Sequence, residues 1–160
     1  MQQRIGERTY GRADLVANGL SRAIALADAD SAALFLVCDD VARCVAAHPP
    51  HVDSPLHSDQ PINRFPWDLA PLRPERFLLV EDVTNLRAEM IRSGPSGPRR
   101  TVADLGYASA VQLTLESSGK PYGALHLYFR QRIDTWDDIK GRALRELGVT
   151  LLDVLRLTSL

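Results

Sequence analysis

The chain has 160 residues, 45% of them hydrophobic, and its 19 basic and 20 acidic side chains leave a formal net charge of −1. This length predicts one domain over residues 1–160 with its own core, and the balanced charge argues against nucleic acid or an anionic membrane as a partner. Because no run of about 18 apolar residues and no secretory signal is present, we expect a cytoplasmic protein that does not span a membrane.

The first part of the chain predicts a helix followed by a β-hairpin. After an N-terminal tail over residues 1–10, apolar side chains recur at helical spacing from Gly11 to Asp28. Apolar runs over 32–37 and 41–47 then predict two antiparallel strands, joined by a turn at Asp39-Asp40.

A proline-rich loop is predicted over residues 48–75. Seven prolines within this range exclude a long helix or a central strand. The loop also contains Phe65 and Trp67, so we expect it to pack on the rest of the domain.

The second part of the chain predicts more strands and a long final helix. Val111, Leu113 and Leu115 alternate with polar residues, which is typical of a strand with one apolar face. The predicted order is a strand over 77–80, a short helix over 85–92, a loop over 93–98, a helical turn over 101–105, strands over 111–115 and 122–129 with a turn at Ser118-Gly119, and a helix over 135–158.

Thr135 is the expected N-cap of that last helix. Its apolar stripe, which includes Leu144, Leu151 and Leu155, is wider than contact with a sheet requires. We therefore expect a homodimer that forms through the terminal helices.

The order of elements, and several motifs within it, resemble the GAF domain family. The motifs are Val80-Glu81-Asp82-Val83, the stretch from Gly106 to Leu115, the stretch from Gly119 to Leu127, and Trp136-Asp137. The resemblance implies an α+β fold, GAF-like and PAS-like. It has a mainly antiparallel sheet, terminal helices on one face, and an excursion of loops and short helices on the other.

Two segments resemble the phytochrome branch of that family. They are Arg64-Phe65-Pro66-Trp67-Asp68-Leu69, similar to the segment that lines the bilin pocket, and Leu105-Gly106-Tyr107-Ala108-Ser109. The chain departs from the branch because no Cys follows Cys44 and no His occurs between His57 and His126. We expect no covalent bilin, and the cofactor, if there is one, stays unknown.

The candidate ligand residues lie in the loop and in the late hairpin. Phe65 and Trp67 either wall a cavity or fill it. Gln112 and Thr114 either reach a ligand or face solvent. The full set of candidates is Phe65, Trp67, Asp68, Tyr107, Gln112, Thr114 and His126.

His126 lies in the middle of a predicted strand. By strand alternation it shares a face with Tyr122, Ala124 and Tyr128. It either contacts a ligand or is satisfied by a neighbouring polar group at the edge of the core, and the residues favour the second interpretation.

No metal site is expected. His48, His51 and His57 lie near Asp53 and Asp59, but prolines scatter these side chains, which favours a solvated loop.

Catalysis is not expected either. The sequence has no Gly-x-Ser-x-Gly elbow and no phosphate-binding loop. One GAF branch reduces free methionine sulfoxide with cysteines of the central loop, but here Cys38 and Cys44 lie in the first hairpin, where they are expected to be small buried hydrophobes.

The sequence thus predicts a signal-input or regulatory module without catalytic activity. It would bind a small molecule, or transmit dimer geometry through its terminal helices to an effector domain or a partner protein. The alternative is a degenerate GAF domain that acts as a dimerisation scaffold without a ligand, and a thiol-dependent reductase is the more distant alternative.

Overall fold

Two long helices and one antiparallel sheet make up the described part of the chain. The structure is a computed structural model that describes residues 2–39, 41–50, 60–61, 77–85 and 105–158. The elements are α1 (Gln2–Ala27), β1 (Ser31–Cys38), β2 (Val41–His48), β3 (Gln60–Pro61), β4 (Phe77–Val80), a 3₁₀ turn (Val83–Asn85), β5 (Ser109–Ser117), β6 (Lys120–Phe129) and α2 (Asp138–Thr158).

The six strands of the described residues form one sheet in the order β3-β2-β1-β6-β5-β4, and every neighbouring pair is antiparallel. Each half of the chain supplies a hairpin, and the two hairpins join where β1 pairs with β6. The turn of the second hairpin is Ser118-Gly119, where both residues have positive φ, as a tight two-residue turn requires. The predicted α+β fold with a mainly antiparallel sheet is confirmed.

Both helices pack on one face of the sheet, which we call the helix face. Gly19 brings α1 and α2 together, because a methyl group at this position would lie only 2.5 Å from Leu151 Cδ2. Among the described residues, neither helix is long and apolar enough to cross a bilayer. The buried residues of this core are Val16, Leu20, Ala23, Ala27, Ala32, Leu34, Val111, Leu113, Leu115, Leu125, Leu127, Phe129, Leu144, Leu151 and Leu152.

Helix α1 begins earlier than the sequence predicts. Residues 2–10, expected as a tail, belong to the helix, which starts at Gln2 rather than Gly11. A glycine inside a helix costs only about 1 kcal/mol relative to alanine, and residues 2–10 contain no proline. Gly11 therefore lowers the local helix propensity without ending the helix.

Helix α2 begins later than predicted, and its cap is Asp137 rather than Thr135. The backbone N–H of Ile139 donates to Asp137 Oδ1 at 2.9 Å, and the N–H of Gly141 donates to the Asp137 carbonyl at 3.0 Å. Both Thr and Asp favour the cap position, so the sequence alone does not select between them. The carboxylate also complements the positive end of the helix dipole.

Several predicted elements lie partly or wholly outside the described residues. In the predicted loop over 48–75, the described residues include β3, which pairs with the start of β2. The 3₁₀ turn precedes the helix predicted over 85–92, and residues 86–104 are outside the described part. The placement of the excursion on the opposite face of the sheet stays a prediction.

Candidate ligand-binding face

The sheet face opposite the helices, which we call the second face, differs in composition from the helix face. Its centre combines small side chains, aromatic rings and buried polar groups. Its residues include Ser31, Ala33, Phe35, Ala42, Cys44, Ala47, Leu78, Val80, Ala110, Gln112, Thr114, Ala124, His126 and Tyr128, with Val83, Leu105 and Tyr107 packed against them.

Strand register places the polar side chains of this face side by side. Gln112 of β5 is paired with His126 of β6, and His126 is paired with Ala33 of β1. In the next row, Tyr128 is paired with Ala110 on one side and with Ser31 on the other. The polar residues therefore occupy the middle of the sheet rather than an edge.

His126 is part of an aromatic cluster. Its Nδ1 lies 3.1 Å from the Tyr128 hydroxyl, and its ring centroid lies 4.8 Å from that of Phe35. Tyr107 packs on Tyr128 with 5.4 Å between ring centroids. Because His126 is fully buried, loss of hydration lowers its pKa well below the ordinary value of 6.5. The imidazole is therefore neutral at pH 7.

The buried polar side chains of the second face include atoms without a hydrogen-bond partner among the described residues. Gln112 Oε1 and Ser31 Oγ, both fully buried, are such atoms. A buried polar atom without a partner costs about 1–3 kcal/mol, so native proteins keep few of them. Gln112 Oε1 is therefore available to accept a hydrogen bond, and Ser31 Oγ to donate or accept one.

Four of the seven sequence candidates lie together on or beside this face: Tyr107, Gln112, Thr114 and His126. Gln112 and Thr114 are buried, so the alternative that they face solvent is wrong. His126 lies against a neighbouring polar group, as one of its two interpretations expected. The other three candidates, Phe65, Trp67 and Asp68, lie outside the described residues.

Tyr122 does not share this face with His126, contrary to the strand alternation. Leu115 is paired with Gly123 and Glu116 with Pro121, so Tyr122 is an extra residue without a partner in β5. Such a β-bulge reverses the alternation. The Tyr122 ring packs against the helix-face core, with the Arg156 guanidinium 5.8 Å from its centroid.

Sequence reasoning missed Ser31 and Phe35 as members of the face. Both alternate with the helix-face residues Ala32 and Leu34, which is a signal present in the sequence. That signal is weak, because residues 32–37 are apolar without interruption and do not reveal which side faces the helices.

The two cysteines form no disulfide and are only partly buried, which corrects the expectation that both are buried. Cys44 packs against the second face, and its thiol lies 3.6 Å from the Ala46 carbonyl oxygen. Among the described residues, no three His, Cys, Asp or Glu side chains come together as a metal site requires. His51, Asp53, His57 and Asp59 lie outside that part of the chain.

Comparison with solved structures finds many similar chains at low sequence identity. The GAF domain region of a putative membrane protein from Geobacter sulfurreducens PCA matches with a TM-score of 0.67 and 17% identity, over 96% of this chain and 99% of that one. The GAF domain of a two-component sensor histidine kinase from Bacillus halodurans matches with a TM-score of 0.63 and 17% identity, over 92% and 97%.

An enzyme is also among the similar structures. The type II free methionine-R-sulfoxide reductase from Thermoplasma acidophilum matches with a TM-score of 0.60 and 11% identity, over 91% of this chain and 94% of that one. No family model matches the sequence, and no curated protein matches it. The likeness therefore concerns the fold.

Proposed function

This chain has the GAF fold, and we propose that it is a signal-input module that binds a small molecule on the second face of its sheet. The observation that carries the proposal is the pair of buried, unpartnered polar atoms, Gln112 Oε1 and Ser31 Oγ, on the face opposite α1 and α2. A ligand that hydrogen-bonds to these two atoms would remove the free-energy cost of burying them without a partner. That gain would add to the affinity of the ligand.

The packing of β6 supplies a route from ligand to output. Gly123 is next to Ala124 of the second face. A methyl group at Gly123 would lie 2.5 Å from Leu152 Cδ1 of α2 and 2.6 Å from the Phe35 carbonyl oxygen. With no side chain between strand and helix, a shift of β6 displaces α2 directly. The proposed output partner, an effector domain or another protein, would respond to that displacement.

The test asks whether a small molecule is retained on the second face. Ala124→Leu adds three carbon atoms to this face, whereas the matched control Ala143→Leu adds them to an exposed position of α2. We expect native mass spectrometry to detect a bound small molecule in the wild type and in Ala143→Leu, and its loss in Ala124→Leu. An unliganded wild type, or undiminished retention in Ala124→Leu, would contradict the proposal.

The scaffold alternative has its own supporting observation in α1. Leu15 and Leu26 are 58% and 42% exposed, and because they are about three turns apart they lie on one side of the helix. The apolar stripe of α2 packs within the chain instead, through buried Leu144 and Leu151 and partly buried Leu155. The proposed homodimer therefore uses the exposed leucines of α1 rather than that stripe.

Sedimentation equilibrium tests the dimer. The double change Leu15→Glu with Leu26→Glu should convert a dimer into a monomer, because it places charges in the proposed interface. Ile139→Glu, which alters an 82% exposed residue of α2, is the control and should leave the dimer intact. A monomeric wild type at high micromolar concentration would remove the dimer from the proposal.

We further propose that the module is cytoplasmic and not an enzyme. Its two cysteines, which form no disulfide, suit a reducing compartment. The reductase alternative rests on Cys44, which lies against the second face. Free methionine sulfoxide should not be reduced by the purified protein in the presence of a thiol reductant. Turnover that disappears in Cys44→Ser and persists in Cys38→Ser would establish the enzyme.

A further inference from the structure

We infer that α2 has one fixed position along its own axis, because leucine side chains seated on glycines connect it to α1, β5 and β6. A change in the sheet would therefore move α2 sideways, together with the second hairpin and α1, and would not slide it along its length. The meaning of this restriction for signalling rests on the proposed function, because it specifies which movement of α2 reaches an output partner.

The first of these contacts is made by β5. Leu115 of β5 lies directly against Gly148 of α2. A methyl group at Gly148 would lie 2.9 Å from Leu115 Cδ2 and 3.0 Å from Leu115 Cδ1. Carbon atoms pack at about 3.5–4.0 Å, so only a glycine leaves enough space at this position. Because Leu115 is 1% exposed, its side chain is enclosed between the sheet and the helix.

Two leucines of α2 make the reverse contact with glycines of the neighbouring elements. Leu151 packs against Gly19 of α1, where an added methyl group would lie 2.5 Å from Leu151 Cδ2. Leu152 packs against Gly123 of β6, where an added methyl group would lie 2.5 Å from Leu152 Cδ1. Both leucines are at most 5% exposed. With the contact from β5, residues 148–152 of α2 are held by three different elements.

The row of α2 that contains Gly148 opposes a shift of the helix by one turn. Gly141, Arg145, Gly148 and Leu152 lie in this row, because positions three and four apart share one side of a helix. A shift of one turn, about 5.4 Å, would place Arg145 or Leu152 against Leu115. The side chain of Arg145 is 13% exposed and Leu152 is 1% exposed. The shift would therefore bring together large side chains that are already largely buried.

The other glycine of α2 does not provide a second position. Gly141 lies two turns before Gly148, and a methyl group there would lie 2.8 Å from Trp136 Nε1. A shift by two turns, about 10.5 Å, would also separate Leu151 from Gly19. Elements that move past one another in one-turn steps need equivalent contacts in both positions. The sequence of α2 offers no equivalent of Gly148 one turn away.

Distances between spin labels test the single position. Arg130→Cys after β6 and Asp153→Cys in α2 place the labels at exposed residues, in a background with Cys38→Ser and Cys44→Ser. Because Gly123 packs against α2 and Arg130 follows it by seven residues, the labels lie about 24 Å apart along the strand direction. A shift of α2 by one turn changes this separation by about 5 Å.

We expect double electron–electron resonance to give one narrow distance distribution. Two populations about 5 Å apart, or one distribution broad enough to span them, would overturn the single position. The label on α2 reports movement along the helix directly, so this test does not depend on the stability of any packing variant.

A pair of backgrounds tests the contact that holds α2. Gly148→Ala should lower the midpoint of thermal unfolding by about 4 °C, because it overpacks Leu115. In Leu115→Val, both Cδ atoms are absent, and the Cγ position lies 3.6 Å from the added methyl group. The same Gly148→Ala change should there raise the midpoint, because alanine favours a helix.

Gly11→Ala is the matched control, since nothing lies within 4 Å of its added methyl group. It should raise the midpoint equally in the wild type and in Leu115→Val. Equal lowering of the midpoint by Gly148→Ala in both backgrounds would overturn the contact between Leu115 and Gly148 as the restraint on α2.

The outcomes separate this inference from the proposed function. Two label distances would overturn the fixed position of α2 even if native mass spectrometry detects a retained small molecule. One label distance, with the reversed effect of Gly148→Ala, supports the fixed position even if no small molecule is retained. In that second case the ligand-binding proposal fails while the restraint on α2 stands.

Discussion

The two faces of the sheet are made from alternate residues of the same strands, yet they differ in chemistry. On β6, Leu125 and Leu127 point to the helices, whereas His126 between them points to the second face. On β5, Leu113 packs under the helices beside Gln112 on the other face. The comparison indicates that the helix face forms the larger aliphatic core, whereas the centre of the second face combines apolar and polar side chains.

The free energies of burial differ between apolar and unpartnered polar groups. Each large aliphatic side chain buried on the helix face contributes about 1.5–3 kcal/mol. Each unpartnered buried polar atom on the second face costs about 1–3 kcal/mol. Because the helix-face core contains many aliphatic side chains, the fold tolerates such atoms on both sides of the sheet. Tyr122 Oη and Trp136 Nε1, beside that core, also lack a partner among the described residues.

The largest expected effect comes from the helix face. Leu125→Ala should lower the free energy of unfolding by about 3 kcal/mol, because it leaves a cavity under the helices. Urea denaturation with an unchanged slope is the measurement. A loss below about 1 kcal/mol would mean that the helix face is not the principal core.

The contact between the sheet and α2 should give the next effect. Gly123→Ala places a methyl group 2.6 Å from the Phe35 carbonyl oxygen and 2.5 Å from Leu152, and this overpacking should cost about 2 kcal/mol. Gly11→Ala is the matched control, since nothing lies within 4 Å of its added methyl group. It should raise stability by up to about 1 kcal/mol through helix propensity. Equal effects at both glycines would refute the close approach of β6 to α2.

The pH dependence of stability tests the burial of His126 on the second face. Burial holds the pKa of His126 well below 6.5 in the folded chain, so the unfolded chain binds a proton there first as the pH falls. The contribution of the neutral His126 to the free energy of unfolding should be fully present above pH 6.5. As the pH falls below 6.5, the free energy of unfolding should decrease by up to about 1.4 kcal/mol per pH unit for one proton, until the folded pKa is reached.

The variant His126→Gln should remove most of this slope between pH 6.5 and 5.5. The two profiles are measured by denaturation at several pH values. The same slope in the variant would assign the proton to another group.

The smallest expected effect is that of Gln112→Leu on the ligand-free protein. Replacing an unpartnered buried amide by an apolar side chain of similar size should leave stability unchanged or raise it by about 1 kcal/mol. Thermal unfolding after removal of small molecules provides the measurement. A loss of more than 1 kcal/mol would indicate that Gln112 has a structural partner.

The sequence by itself determined the elements whose signals are local. Alternation over 111–115 and the Ser118-Gly119 turn specified the second hairpin, and the apolar run at Phe77–Val80 matched β4. These signals suffice because side-chain alternation and turn conformation depend on neighbours only a few residues apart. The same alternation placed Gln112 and Thr114 on one side of their strand.

Only the tertiary structure decided which residues meet across the sheet. Ser31 joins the second face because β1 pairs with β6, almost 100 residues later in the chain. Tyr122 leaves that face because of a bulge, and Asp137 caps α2 while Thr135 does not. Register between distant strands, the position of a bulge and the choice between two capping residues are set by the packing of the whole sheet against its helices. Short-range patterns in the sequence do not contain that information.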